Sequence, residues 1–73
     1  MDELSWRARL ARNNINILNI DDERWYYEFM YHPYSGSTKW CKTFYETHNG
    51  RAPEAVADDI TREVAKLRRE LER

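Results

Sequence analysis

Cysteine, glycine and proline are scarce in these 73 residues: one Cys, two Gly and two Pro. A single cysteine, Cys41, rules out an internal disulfide and fits a reducing, cytoplasmic setting, with a buried strand thiol as its role. Gly36 and Gly50 alone cannot make a glycine-rich phosphate loop. No apolar run approaches the roughly 20 residues needed to span a bilayer, and the opening Asp2-Glu3 is not the basic start of a secretory leader. Charge of one sign is missing as well. Twelve Lys and Arg against 13 Asp and Glu leave a net charge of −1. The chain is acid-heavy before Arg24, about +2 from Arg24 to Arg51 and −1 over its last stretch, a balance that weakens a nucleic-acid reading. There is no repeat or low-complexity segment, and only residues 47–52 look like a linker. A chain of this length is one domain that buries roughly 60% of its unfolded surface, too little for a large substrate cavity.

Catalytic and metal sets are missing too. His32, Cys41 and His48 lack the close paired spacing of structural zinc ligands, and the strand register derived below points His32 and Cys41 to opposite faces. Ser35 and Ser37 lie in a loop whose turn chemistry already explains them, with no oxyanion-hole motif nearby. Asp21-Asp22 reads as a turn and Asp58-Asp59 as solvated acids near a helix start, so neither suits general acid and base work. The expectation is a protein with no enzymatic activity, no metal and no cofactor.

What the sequence does contain is concentrated. Nine of its ten aromatic residues fall between Trp25 and Tyr45. They lie on two strand-like runs, Trp25–Tyr31 and Lys39–Tyr45, separated by the turn-forming Pro33-Tyr34-Ser35-Gly36-Ser37, which together read as a hairpin. With a symmetric loop, opposite residues have numbers summing to 70. Trp25 then faces Tyr45, Tyr26 faces Phe44, Phe29 faces Cys41, Met30 faces Trp40, and Glu28 meets Lys42, an opposite-charge pair that supports the register. One face carries Trp25, Tyr27, Phe29, Tyr31, Cys41, Thr43 and Tyr45 and suits a core. The other carries Tyr26, Met30, Trp40 and Phe44 around Glu28 and Lys42, with His32 at its edge.

Ile15–Ile20 is a third strand, joined through the acidic turn Asp21-Asp22-Glu23-Arg24. An unbroken meander puts Leu18 and Ile20 on the first face and Ile15 and Ile17 on the second. Downstream, Asn49-Gly50 signals a turn, and Pro53 opens a helix to about Glu72. Its acids Glu54, Asp58 and Asp59 come early and its bases Arg68, Arg69 and Arg73 late, matching the helix dipole. Ala57, Ile60, Val64, Leu67 and Leu71 form one apolar stripe, with Asp58 and Arg62, and Lys66 and Glu70, at supporting spacing. That helix can cover only one sheet face, and its Leu67 and Leu71 end is long enough to overhang the strands and meet a second subunit. Near the N-terminus, Leu4, Trp6, Ala8 and Leu10 alternate as in a strand, while Leu4, Ala8 and Ala11 fit a helical face and Arg7, Arg9 and Arg12 are good helix formers; of the two readings a short helix from about Glu3 to Arg12 is preferred. Its Trp6 and Leu10 are the residues placed to cover the second face.

The predicted class is therefore α+β: one domain over residues 1–73, with an N-terminal segment at 1–13, a three-stranded antiparallel meander at 14–46 and a helix at 53–72. Either the N-terminal segment or a symmetric copy covers the second face, or the face is an apolar patch rimmed by charge, which marks a partner surface. The candidate binding residues are Tyr26, Met30, Trp40, Lys42 and Phe44, with Arg24 and Lys39 near the edges and Tyr34 from the adjoining loop.

Arg24-Trp25-Tyr26-Tyr27-Glu28-Phe29 and Lys42-Thr43-Phe44-Tyr45-Glu46-Thr47 resemble the second and third strands of the arm-type DNA-binding domains of tyrosine integrases and of the plant AP2 domain. The resemblance spans about Ile15–Leu71 and implies a sheet that enters the major groove on several Arg and Lys. This chain offers Lys42 there, with Arg24 and Lys39 near the edges and Glu28 between, and His48-Asn49-Gly50-Arg51-Ala52 stands where the family's helix start would follow. In profile, a very short, mildly acidic chain without a catalytic motif is similar to phage-encoded inhibitors of host defence such as anti-CRISPR proteins. The leading expectation is thus a protein-binding module, an inhibitor of a host protein complex, and the alternative is a sheet-type DNA binder. The partner is expected to be another protein, with a homodimer through the last helix or the aromatic face next and nucleic acid second; a membrane is not expected.

Overall fold

A computed structural model describes residues 3–34, 36–47 and 50–72, with the backbone alone at residues 3 and 4. The expectations placed on Asp2, Ser35, His48, Asn49, Arg73 and the Leu4 side chain lie outside the described residues. Elements run α1 (Glu3–Arg12), β1 (Ile15–Ile20), β2 (Arg24–Tyr31), β3 (Lys39–Glu46) and α2 (Pro53–Leu71). The sheet is antiparallel in the order β1-β2-β3, so the α+β meander and both helices stand as the sequence predicts.

The hairpin of β2 and β3 has the expected register throughout, from Arg24 opposite Glu46 to Tyr31 opposite Lys39. Trp25, Tyr27 and Phe29 point to the first face, where they are buried with Val56, Ala57, Ile60 and Val64 of α2. Fully burying an Ile or Val side chain contributes about 1.5–3 kcal/mol, so Ile60 and Val64, which have no exposed surface, fix α2 on the sheet. Pro53 opens the helix after an extended Ala52, which makes no side-chain cap. Leu67 is partly buried against the core, while Leu71 is exposed beyond it. The Asp58 and Arg62 spacing is used differently from its i,i+4 reading: Arg62 bonds Asp59, and Asp58 pairs with Arg9 of α1 at 3.3 Å.

Two expectations are overturned, and both concern which side of the sheet a segment meets. The helix α1 forms over Glu3–Arg12 but does not cover the second face. Trp6 and Leu10 are buried on the first face, beside α2, with the Trp6 ring 4.9 Å from that of Trp25. The chain between α1 and β1 explains the direction. Asn13 and Asn14 donate their N–H groups to the carbonyls of Leu10 and Ala11, and Asn14 takes a left-handed φ of 59° that asparagine tolerates better than most residues. This cap turns the chain so that α1 lies over the same side as α2.

The second correction lies in β1. Ile20 faces Trp25, as the tight acidic turn implies, but the pairing shifts by one residue between Ile17 and Asn19. Leu18 is the extra residue of a β-bulge, and because side chains alternate, one inserted residue inverts the facing of everything before it. Ile15 therefore pairs with Phe29 and is buried in the core, Ile17 pairs with Tyr27 and packs against it, and the second face receives Asn16 and Asn19.

Arg68 closes the assembly. Its Nε–H donates to the Met30 carbonyl at 2.8 Å and its Nη2–H to the Asn13 carbonyl at 2.6 Å, while the guanidinium lies 5.7 Å from the Phe29 ring centre. One side chain of α2 thus holds the end of α1 and the middle strand together. Trp6 Nε1 is buried with no hydrogen-bond partner among the described residues, a cost of about 1–3 kcal/mol carried by the burial of its ring.

Candidate functional site

Hydrogen-bond parity decides which side chains sit closest on the bare face. The Thr47 N–H donates to the Glu23 carbonyl at 2.8 Å, so odd-numbered residues of β2 and β3 form the hydrogen-bonded pairs and even-numbered ones the closer, non-bonded pairs. The even-numbered pairs are Arg24 with Glu46, Tyr26 with Phe44, Glu28 with Lys42, and Met30 with Trp40. Every one of them faces away from the helices. Close pairing brings the Tyr26 and Phe44 rings to 5.9 Å at a 49° tilt, and the Arg24 guanidinium lies 4.8 Å from the Phe44 ring centre while pairing with Glu46 at 3.7 Å.

The face is a striped surface. Two apolar rungs, Tyr26 with Phe44 and Met30 with Trp40, flank a polar row in which the Asn16 amide donates to Glu28 at 3.2 Å and Lys42 lies beyond Glu28. No Glu28 to Lys42 ion pair forms among the described residues, since Glu28 is engaged by Asn16. Trp40 keeps 48% and Phe44 46% of its surface exposed. Side chains of this kind on an open sheet give large contact area at low conformational cost.

Of the eight residues predicted from sequence, Tyr26, Met30, Trp40, Lys42 and Phe44 are brought together, and Arg24 joins them at one end. Lys39 is not on this face: it opposes Tyr31, on the helix side of the sheet, at its exposed edge. Tyr34 stands in the hairpin loop, 86% exposed. The loop itself is braced where the Thr38 hydroxyl lies 3.0 Å from His32 Nδ1 and the His32 N–H donates to Glu72 at 2.8 Å. Ile15 and Ile17 leave the patch, and Asn16, Asn19 and Glu46 enter it. Glu46 was legible from the register; the two asparagines were hidden by the bulge.

Charge on the face cancels. Arg24 and Lys42 are matched by Glu28 and Glu46, all four on even-numbered positions. The Arg24 pKa is raised above its ordinary value, first by hydrogen bonding to Tyr26. The remaining perturbed groups are elsewhere. Burial pushes the Tyr27 hydroxyl up to about 12. On the helix side Asp59 accepts hydrogen bonds from Arg51, from the Tyr45 hydroxyl at 2.9 Å and from Arg62; the Arg51 bond first, then that of Tyr45, holds its carboxyl below the usual range and raises Arg51 in return. This cluster ties β3 to α2 and points to a structural role.

Among the described residues, no three His, Cys, Asp or Glu side chains converge as a metal set would, and no helix is long and apolar enough to cross a membrane. Comparison of the chain with protein-family models, with curated proteins and with solved structures finds no match.

Proposed function

We propose that this chain is a small non-enzymatic binding module that docks on another protein through the bare face of its sheet. The observation that carries the reading is the half-exposure of Trp40 and Phe44 beside Tyr26 and Met30, on a face from which both helices are absent. Apolar patches rimmed by charge are how partner surfaces present themselves, and aromatic side chains with Met and Arg are enriched in interface cores. Within this reading, the role that suits so short a chain without a catalytic set is that of a phage- or mobile-element-encoded inhibitor that occupies the surface of a host protein complex, acting in the cytoplasm.

A second reading, a sheet-type DNA binder, is favoured by one feature: the helices lie behind the sheet and leave its other face open, as a strand reader of the groove requires. Cancellation of the four charges on that face and the position of Lys39 off it argue against this reading. Salt separates the two. A protein neutralising six to ten phosphates loses roughly 10³–10⁵ in affinity between 50 and 200 mM salt. The experiment titrates the purified chain with mixed-sequence duplex DNA and with proteins captured from lysate across that range, followed by calorimetry on the captured partner. Docking through the aromatic face predicts modest salt dependence and a loss of about 2 kcal/mol or more for Trp40→Ala or Tyr26→Ala. Tight, salt-sensitive DNA binding abolished by Lys39→Ala with Lys42→Ala would replace the first reading by the second.

A further inference from the structure

The sheet ends in two edges of different character. Along β1 the ladder is interrupted by the Leu18 bulge, and α1 packs against that strand. The other edge, β3, runs eight residues with no bulge and no proline. Bulges, prolines, charges and covering elements are the devices that keep an edge from pairing with another chain; of these, among the described residues, β3 has only its charges, Lys39, Lys42 and Glu46. Its free backbone groups follow from the ladder. The Thr47 bond to Glu23 sets the odd-numbered residues of β3 against β2. On the other side of β2, the Met30 N–H donates to the Asn14 carbonyl at 3.1 Å, so even-numbered β2 residues turn toward β1, in agreement. The N–H and C=O groups of Trp40, Lys42 and Phe44 therefore point outward from the sheet.

We infer that this edge pairs antiparallel with the same edge of a second copy of the chain, about a two-fold axis at Thr43. Two central registers place the outward groups in hydrogen-bonded pairs. One is centred on Lys42 and sets that lysine against its own counterpart, a like-charge contact that destabilises a sheet. The other is centred on Thr43. It opposes Thr43 to its counterpart, Trp40 to Glu46, Lys42 to Phe44 and Cys41 to Tyr45, with no like charges, and threonines opposite one another are a favourable pair. The helix layer does not obstruct it. The α2 helix packs on β2, and the two β2 strands would be three strand spacings apart, about 14 Å, against the 8–10 Å at which helices pack. The product is a six-stranded sheet with all four helices on one side and the two bare faces merged on the other. An edge of this length buries less than the roughly 800 Å² per partner of a standard stable interface, so the dimer forms only as concentration rises.

Thr43 itself lies on the helix side, so substitutions there test the association without altering the side chains of the bare face. Sedimentation equilibrium on the whole chain tests it. The natural chain should pass from monomer to dimer with increasing concentration, Thr43→Lys and Thr43→Glu alone should each weaken association by about fivefold or more, and their equimolar mixture should restore it. Cysteine trapping reads the register separately and decides the matter if either charged variant is misfolded by circular dichroism. Non-bonded antiparallel pairs have Cα atoms about 4.5 Å apart, within the span of a disulfide. Thr43→Cys with Cys41→Ser should therefore cross-link on mild oxidation, and Lys42→Cys with Cys41→Ser should not. A chain that stays monomeric to about 1 mM, a dimer indifferent to both charges, or preferential cross-linking through position 42 would overturn the inference.

Discussion

On the helix side of the sheet Trp25, Tyr27 and Phe29 are almost wholly withdrawn from solvent, whereas on the opposite side Trp40 and Phe44 keep nearly half their surface exposed although they belong to the same hairpin. Composition does not separate the two faces well, since both are aromatic. Coverage does. Two amphipathic helices go to the same side because the Asn14 turn folds α1 back beside α2, and the bulge in β1 supplies that side with Ile15 and Ile17 while giving asparagines to the other. The lesson is that a chain this small commits all its covering elements to one face, and leaves the second as surface with no internal task.

The largest effect that would break this comparison is at Ile60. Ile60→Asp buries an unpaired charge between α2 and the sheet and should cost about 4 kcal/mol or more, enough to unfold a small domain in urea denaturation; parent-like stability would mean the stripe of α2 is not in the core. Trp6 and Trp40 give the next contrast, one on each face. Trp6→Ala should cost about 3 kcal/mol, and Trp6→Phe much less, since it removes an unpaired N–H along with some contact. Trp40→Ala should change stability by less than about 0.5 kcal/mol while weakening binding. Equal losses at the two positions would show that something covers the second face after all.

Acid sensitivity should come from the covered side. Asp59 has a depressed folded-state pKa, so its contribution is present above the ordinary carboxylate range and is lost as pH falls through the lowered folded value. Asp59→Asn should lower stability at neutral pH and flatten the acid limb of the profile. Tyr27 runs the other way: its raised value stabilises fully below pH 10 and the effect fades as pH rises toward about 12. A thermal-melt series from pH 2 to 12 checks both. A small effect is also expected from deleting Leu18. Removal of a residue from a strand ordinarily inverts the facing of all that follows, but here it regularises the ladder with Ile15 and Ile17 still inward, and the cost should stay within about 1 kcal/mol. Loss of the fold would show that the bulge itself is needed.

Much of this was legible in the sequence. The symmetric loop fixed the hairpin register, with Glu28 opposite Lys42 as its check, and Pro53 with the Ile60 and Val64 stripe gave the long helix and its inward side. The short N-terminal helix was one of two readings its spacing allowed, preferred because Arg7, Arg9 and Arg12 are good helix formers. Its direction was not legible, because no pattern in Trp6 or Leu10 says which layer a helix joins; that depends on one left-handed residue, Asn14. The facing of β1 failed for a similar reason. Alternation predicts it only in an unbroken ladder, and the one mark of the bulge, the adjacent apolar pair Ile17-Leu18 at which the alternation changes phase, was read through as if the ladder were regular. Of the candidate residues, those on the regular hairpin do share one face, while Lys39 was misplaced by reading strand ends as if they belonged to both faces.

The reach of Arg68 bears on the order in which the molecule assembles. The meander is built from neighbouring strands and can form while the chain is still short, but the bond from Arg68 to Asn13 joins positions 55 residues apart, and contacts of such separation are closed late because loop closure must precede them. Until α2 arrives, both aromatic faces are open to water and to other chains, and the interval before docking is when aggregation threatens. A clasp that forms after the rate-limiting step predicts that Arg68→Ala accelerates unfolding more than it slows refolding; stopped-flow traces in which refolding alone is slowed would place α2 in the folding nucleus instead.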